Sequence, residues 1–398
     1  MCPTLSQWCQ CGDRIQEAAV IVKAFLRWSE TAKVADRASA ANALGRAYLV
    51  EGMNKEQHEA AYMALTYLLD DPSPRVRLSL AEAICDSPVA PRAIVVALAE
   101  DQPEIAGTVI MRSPVLRDMD LVDLVGRGDV TTRSFIAARP YLTRGVCAAL
   151  AEVADLGELF ILLENQLIDI SRISLRRIVE RFGEHAEIRN LLLERDDLPA
   201  DARHALLNHV GSALACSNLV NAFVDRSRID YVIRDAGDTA TVEILASVPQ
   251  ADMPAFVDHL RKSGELNPAL LIYALCAGRL SFFSEAMSNL SQLGESRVRS
   301  ILATGRVPAV QVLFHSAGLS KDICAVFVEA TLLWRDAAQS ISGVALEDIC
   351  GTLVAKFRAR HGLHAVVHEL LDMLEKLQMN EQRQRARSYA SGMMIDAA

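Results

Sequence analysis

The chain has 398 residues, a formal charge of -9, 51% hydrophobic residues and only 5% aromatic ones. At roughly 100 to 200 residues per domain the length calls for more than one core, and an interior of Ala, Leu, Val and Ile favours closely packed helices. The acidic total argues against a nucleic-acid partner, and the nine Arg against ten Asp and Glu between Asp71 and Leu150 leave no excess of positive charge for a groove there.

Met1 to Asp13 lacks a basic start followed by an apolar run, and no apolar stretch approaches the ~20 residues that span a bilayer. A cytoplasmic protein without membrane insertion is therefore expected. Nine Cys, among them Cys85, Cys147, Cys216, Cys276 and Cys324 in apolar stretches, are expected as buried reduced thiols. Cys2, Cys9 and Cys11 lack the second pair that a structural zinc site needs.

Asn54 and Gln57 form a capping pattern ahead of Ala61, Leu65, Leu68 and Leu69. Pro72 and Pro74 stop that helix, and Ser73 followed by Pro74 opens another carrying Val76, Leu80, Ala83 and Ile84. A repeat follows. Pro88, Pro114 and Pro140 lie 26 residues apart. Seven residues after each comes Val95, Leu121 or Cys147, and ten after each comes Leu98, Leu124 or Leu150. The two positions share one helical face. Each unit reads as helix, Pro-containing turn, helix, and none can bury its apolar face without neighbours. A worn fourth unit has Gln166 in place of Pro, with Leu175, Ile178 and Val179; Leu198-Pro199 hints at a fifth.

After about Ser247 the punctuation changes from Pro to Gly. Asn267-Pro268 starts a helix through Leu275 that Gly278 caps. Ser281 is expected to cap the next, with Phe282, Phe283 and Met287; Pro308 and Ser320 begin two more. Leu363, Val367, Leu370, Leu374 and Leu377 form a heptad-like seam, read either as packing on the chain's own second domain or as a homodimer contact. Beyond Asn380, Arg383, Arg385 and Arg387 among Gln and Ser read as solvated. The expected architecture is all-α: N-terminal helices in 1–53, a HEAT-like α-solenoid of short helical repeats in 54–247, a second compact helical domain in 248–340, and a C-terminal amphipathic helix and tail in 341–398.

Three groups of residues carry a resemblance. They are Asp71-Pro72-Ser73-Pro74-Arg75-Val76-Arg77 with Leu80-Ala81-Glu82-Ala83, the Arg139-Pro140-Tyr141-Leu142 turn, and Leu266-Asn267-Pro268-Ala269-Leu270-Leu271 with Leu275 to Phe283. Through them the chain resembles, from about Asp70 to Asp336, an uncharacterised bacterial family, domain of unknown function 2336. The Gly-x-Leu-x-Phe-Phe junction at Gly278 is its most specific element. The resemblance implies a HEAT-like array followed by a further helical region, and no activity; Gln166 departs from its pattern.

Arg75, Arg77, Arg112 and Arg139 sit at matching turns and helix starts, so stacking would align them as a ladder for acidic segments or phosphates. The plainer reading pairs them with Asp71, Asp101 and Asp129 of neighbouring repeats. His361, His364 and His368, beside Glu369, share a helical face and could hold a metal, but Gly362 interrupts the helix and no further ligand group is evident. His204 and His209, five residues apart, read as surface residues. Gly126-Arg127-Gly128-Asp129 reads as a helix stop rather than a phosphate loop, and no nucleophile set has supporting context. No cofactor is called for.

A non-enzymatic scaffold or regulatory adaptor for a protein or peptide is the leading expectation. A HEAT-like nucleic-acid binder, a metal-dependent enzyme using the C-terminal histidines, and a small-ligand sensor between the helices of Phe282, Phe283, Phe314 and Phe327 are the alternatives.

Overall fold

The computed structural model describes residues 27–50, 53–339, 349–360 and 364–396. Every regular element among them is a helix. The chain divides into two compact units, 1–196 and 197–398.

In the first unit the helices Val34–Leu49, Pro74–Ile84, Pro103–Arg112, Val130–Ala137, Leu156–Glu164 and Ala186–Leu193 pack in succession as one layer. A second layer holds Arg92–Ala99, Asp118–Arg127, Arg144–Val153 and Arg172–Phe182. This is a helical-repeat solenoid. Helices of 8 to 11 residues are too short to persist alone, so burial between units must hold them. The 26-residue period survives in the second layer: its helices start at Arg92, Asp118 and Arg144, four residues after each repeat Pro. Val95, Leu98, Leu121, Leu124, Cys147 and Leu150 are all buried. The worn fourth unit starts at Arg172, two residues late, and still buries Leu175, Ile178 and Val179. Successive first-layer helices approach closely where Gly107 faces Phe135, since a Cβ there would lie 2.7 Å from the ring.

Several expected caps are present, although the Ser73 side chain, at its expected cap position, makes no capping hydrogen bond. Asn54 and Gln57 make both halves of a capping box, Pro74 occupies the first helical position, and the Asn267 side chain accepts from the Leu270 backbone N–H at 2.8 Å. Gly278, at φ +70, lets the Arg279 N–H reach the Ala274 carbonyl at 2.8 Å, which closes the helix in the left-handed conformation that Gly tolerates. Ser281 does not cap: the helix Leu280–Ser291 begins one residue earlier, with Arg279 at the cap position. Cys85, Cys147, Cys276 and Cys324 are buried as expected, but Cys216 is exposed at the end of its helix; Cys2, Cys9 and Cys11 lie outside the described residues.

Arginine ties the repeats together. The fourth helical position is Arg37, Arg77, Arg133 and Arg189 in four helices of the first layer. The first three guanidinium groups each take a carboxylate from the entrance of the next helix of that layer, and all four take a backbone carbonyl five or six residues back. Arg37 holds Asp71 at 2.8 Å and the Ala32 carbonyl at 2.8 Å. Arg77 holds Asp101 through two bonds of 2.6 and 2.9 Å and the Asp71 carbonyl at 2.5 Å. Arg133 holds Glu158 at 2.9 Å and the Gly128 carbonyl at 2.9 Å. Where the layer lacks this Arg, the same position is the buried Ala106 or Leu159.

In the second unit the helix Pro268–Cys276 is buried on every side from Ala269 to Cys276, as a helix apolar all round must be. Around it pack Leu280–Ser291, Lys321–Gln339, Ile349–Arg358 and Ala365–Asp396. Phe283, Phe314 and Phe327 form a ring triad with centroids 5.5 to 6.1 Å apart. Val367, Leu370 and Leu374 of the C-terminal seam are buried in this same core; Leu363 and the Leu377 side chain lie outside the described residues. The helices Ala200–Cys216 and Arg226–Ser247, placed with the repeats by sequence, lie in this unit because Ala200, Ile244 and Leu245 join the core of Phe256 and Phe282.

Glu158 is 1% exposed, so Glu158→Ala would strand the buried Arg133 charge. This is expected to destabilise the protein by about 3–5 kcal/mol. Asp169→Ala, which removes an exposed pair with Arg144, should leave stability nearly unchanged. Denaturant unfolding of both variants checks the contrast.

Candidate functional site

Two regions bear on function, one in each unit. In the first, the turns that follow the first-layer helices Pro74–Ile84, Pro103–Arg112, Val130–Ala137 and Leu156–Glu164 all emerge on the same edge of the stack, because equivalent turns align in an array. Three of the four arginines expected near these turns and helix starts are engaged within the fold. Arg77 is tied as described. Arg112 pairs with Asp86 of the preceding turn. Arg139 donates to the Ile110 carbonyl and, at 3.1 Å, to the Ser113 carbonyl, which satisfies the end of the helix Pro103–Arg112. Burial lowers the pKa of Arg139. Arg75 and Arg112 are exposed, Arg112 with its Asp86 partner. The expected partners Asp71 and Asp101 serve as read, while Asp129 instead caps its own helix by accepting from the Thr132 N–H at 2.8 Å.

The residue after each repeat Pro was not singled out by sequence, and it is what the edge displays. Val89 is 65% exposed, Tyr141 77% and, after Gln166, Leu167 67%; Val115 is partly exposed. The signal was present as the same 26-residue spacing shifted by one position. It is masked because an apolar residue in a helical protein reads as core by default.

The second region surrounds His204, which is 1% exposed and so corrects its reading as a surface residue. Its Nδ1 lies 3.1 Å from His259 Nε2. Its Nε2 lies 2.9 Å from Thr241 Oγ1 and 2.9 Å from Glu265 Oε2. Thr241 gives its own proton to the Gly237 carbonyl, so His204 Nε2 must be the donor to both oxygens. Asn208 donates to the other oxygen of Glu265 at 2.8 Å. Desolvation works against the Glu265 carboxylate, yet the bonds from His204 and Asn208 and the nearby imidazoles hold its pKa below the ordinary value. Burial, reinforced by His204, lowers that of His259, against Asp201, Glu265 and Asp258. Burial raises that of Asp238, with Lys376 opposing.

The adjoining cavity is about 80 Å³, lined by Asp238, Thr241, Glu265, Asn267, Met373 and Lys376 among others. It suits a few waters rather than an ordinary substrate. The network joins the helices Ala200–Cys216, Arg226–Ser247 and Met253–Ser263 to Glu265; chemically it can take up a proton.

The C-terminal histidines are not gathered into such a set. His364 and His368 are exposed, His361 lies outside the described residues, and among those described no group of three or more His, Cys, Asp or Glu could hold a metal ion. Phe282, Phe283, Phe314 and Phe327 are core. No described helix is long and apolar enough to cross a membrane.

Stacked short helices, inter-repeat arginine ties and an appended helical unit define an all-α helical-repeat protein. No curated protein and no solved structure matches the chain. The family described as an uncharacterised protein conserved in bacteria (DUF2336) matches residues 105–362, and the chain belongs to that family.

The His204 network predicts loss of stability in acid. His259, with its pKa lowered in the folded state, resists a proton that the unfolded chain takes as pH falls below about 6.5, so stability is lost on that descent. Glu265 adds to the loss only lower, as pH falls below about 4.5; Asp238, raised, acts in the opposite sense. The melting temperature should fall between pH 7.5 and 5.5, and His259→Gln should flatten that dependence.

Proposed function

We propose that this protein is a non-enzymatic, cytoplasmic interaction scaffold whose repeat edge receives an apolar segment of a protein partner. The supporting observation is the row of exposed side chains at Val89, Tyr141 and Leu167, on equivalent turns of successive repeats. Each turn sets one large apolar group in water, at a spacing fixed by helix stacking rather than by loop flexibility. Such a rigid, regularly spaced row suits an elongated partner that contacts several units at once. Tyr has the amphipathic ring that anchors interfaces.

The alternative of nucleic-acid binding draws less support, since Arg77, Arg112 and Arg139 spend their donors inside the array. The alternative of a metal enzyme would have to draw on the exposed His364 and His368, and the geometry offers it no cluster among the described residues.

The test is capture from native extract with the intact chain and with a Tyr141→Ser/Leu167→Ser variant, partners being identified by mass spectrometry. A protein that binds the intact chain should lose at least about 2 kcal/mol with the variant, roughly 30-fold in Kd. A partner retained equally by both, or salt-sensitive recovery of nucleic acid instead, would overturn this reading.

A further inference from the structure

Within the second unit, the helices Ala200–Cys216 and Arg226–Ser247 form a hairpin closed by the short helix Asn218–Phe223. The two long helices touch at Gly211, where a Cβ would lie 2.9 Å from Ile233. Their roots join the core through Ala200, Ile244 and Leu245. Between Leu207 and Ala240, however, Ile229 is the single buried residue.

This stretch is unlike an ordinary solvated surface. From His204 to Val224 it holds no Asp, Glu, Lys or Arg, and at the tip Leu219 is 72% and Phe223 83% exposed. An extended, uncharged apolar surface marks a face that another surface covers. A standard interface engages roughly 20–30 residues a side, and the hairpin displays enough to fill one.

The groove between the two helices indicates what covers it. It encloses about 600 Å³, walled by Leu207, Val210, Gly211 and Leu214 on one side and by Val232 and Ile233 on the other. Asp230 and Arg234 are its only charged lining residues. They differ in sign and lie four residues apart, hence on one helical face. Neither is firmly held within the chain. Asp230 meets Arg226 at 3.6 Å in a pair exposed on both sides, which contributes little. Among the described residues no carboxylate pairs with Arg234, whose Nε donates to the Asp230 backbone carbonyl at 3.4 Å.

A face with one acid and one base so spaced is complementary to itself when turned end for end. A twofold contact brings residue i against j and j against i. In an antiparallel pair of the Arg226–Ser247 helices with Val232 at the axis, Asp230 of each copy therefore faces Arg234 of the other. The uncharged helix alongside suits the same symmetry, since a charge near a twofold axis meets its own like. The tips, with Leu219 and Phe223, then fall towards the small residues Gly237 and Ala240 at the root of the other hairpin. A membrane surface is matched less well: Asp225, Asp230 and Asp235 balance Arg226, Arg228 and Arg234, where an interfacial helix carries an excess of Lys and Arg.

We propose that the hairpin 207–240 is a docking surface for a second copy of this chain, packed antiparallel over an apolar contact and registered by reciprocal Asp230–Arg234 pairs.

The test is sedimentation velocity of the full chain across micromolar concentrations, with Asp230→Arg, Arg234→Asp and an equimolar mixture of the two variants. The intact chain should dimerise. Each variant alone sets like charges against each other across the axis and should weaken dimerisation by at least about tenfold. In the mixture both arginines of one copy meet both aspartates of the other, so a dimer holding one copy of each variant should reappear. Phe223→Ser should also weaken the dimer, with circular dichroism unchanged in every variant. A monomeric intact chain, a dimer indifferent to either charge reversal, or a mixture that stays monomeric would each overturn the proposal. So would a monomeric chain that floats with phosphatidylglycerol vesicles and loses them on Phe223→Ser, which would assign the face to a lipid surface.

Discussion

A helix of two or three turns cannot keep its shape in water, and the repeat helices from Pro74–Ile84 to Ala186–Leu193 are all of that kind. Stability has to come from the neighbours, so the whole first unit depends on how faithfully one repeat grips the next. Apolar burial supplies most of that grip but does not set direction or register, because Leu and Val pack acceptably in several shifts. Register is set by the guanidinium ties. Arg77 reaches two oxygens of Asp101 while the Asp71 carbonyl of its own turn holds the fork in place, and a slip of one residue between repeats would break both bonds to Asp101. The skew of the composition towards Arg over Lys follows directly, since a planar fork can serve a carboxylate and a carbonyl together where an ammonium cannot match the geometry.

Much of this architecture was legible in the sequence. The 26-residue spacing of Pro88, Pro114 and Pro140 marks the real turns, and the residues seven and ten positions on are the real core. The Asn54 capping box, the Asn267-Pro268 start and the Gly278 stop were readable because each depends on local backbone chemistry. What escaped reading was what depends on tertiary placement. His204 looks like a surface residue because its partners Thr241, His259 and Glu265 are 37 to 61 positions away in the chain. The helices Ala200–Cys216 and Arg226–Ser247 read as further repeats because amphipathic helices carry no label of the core they join. Ser281 was read as a cap because Ser commonly is one, whereas Arg279 precedes the first turn.

The candidate sites divide along the same line. Of the arginines noticed in sequence, Arg77, Arg112 and Arg139 are internal fasteners, which the opposing acids hinted at. The exposed row beside them was overlooked because hydrophobicity alone does not say which side of a turn faces water.

The buried ties also run one way. In Arg37–Asp71, Arg77–Asp101 and Arg133–Glu158 the cation always belongs to the earlier helix and the carboxylate to the later stretch. A unit carrying an acid at its entrance and an arginine inside is a plug with its own socket. A gene segment duplicated at that boundary would insert a module that already fits both its neighbours, so such a chain can lengthen or shorten by whole units without inventing a new interface.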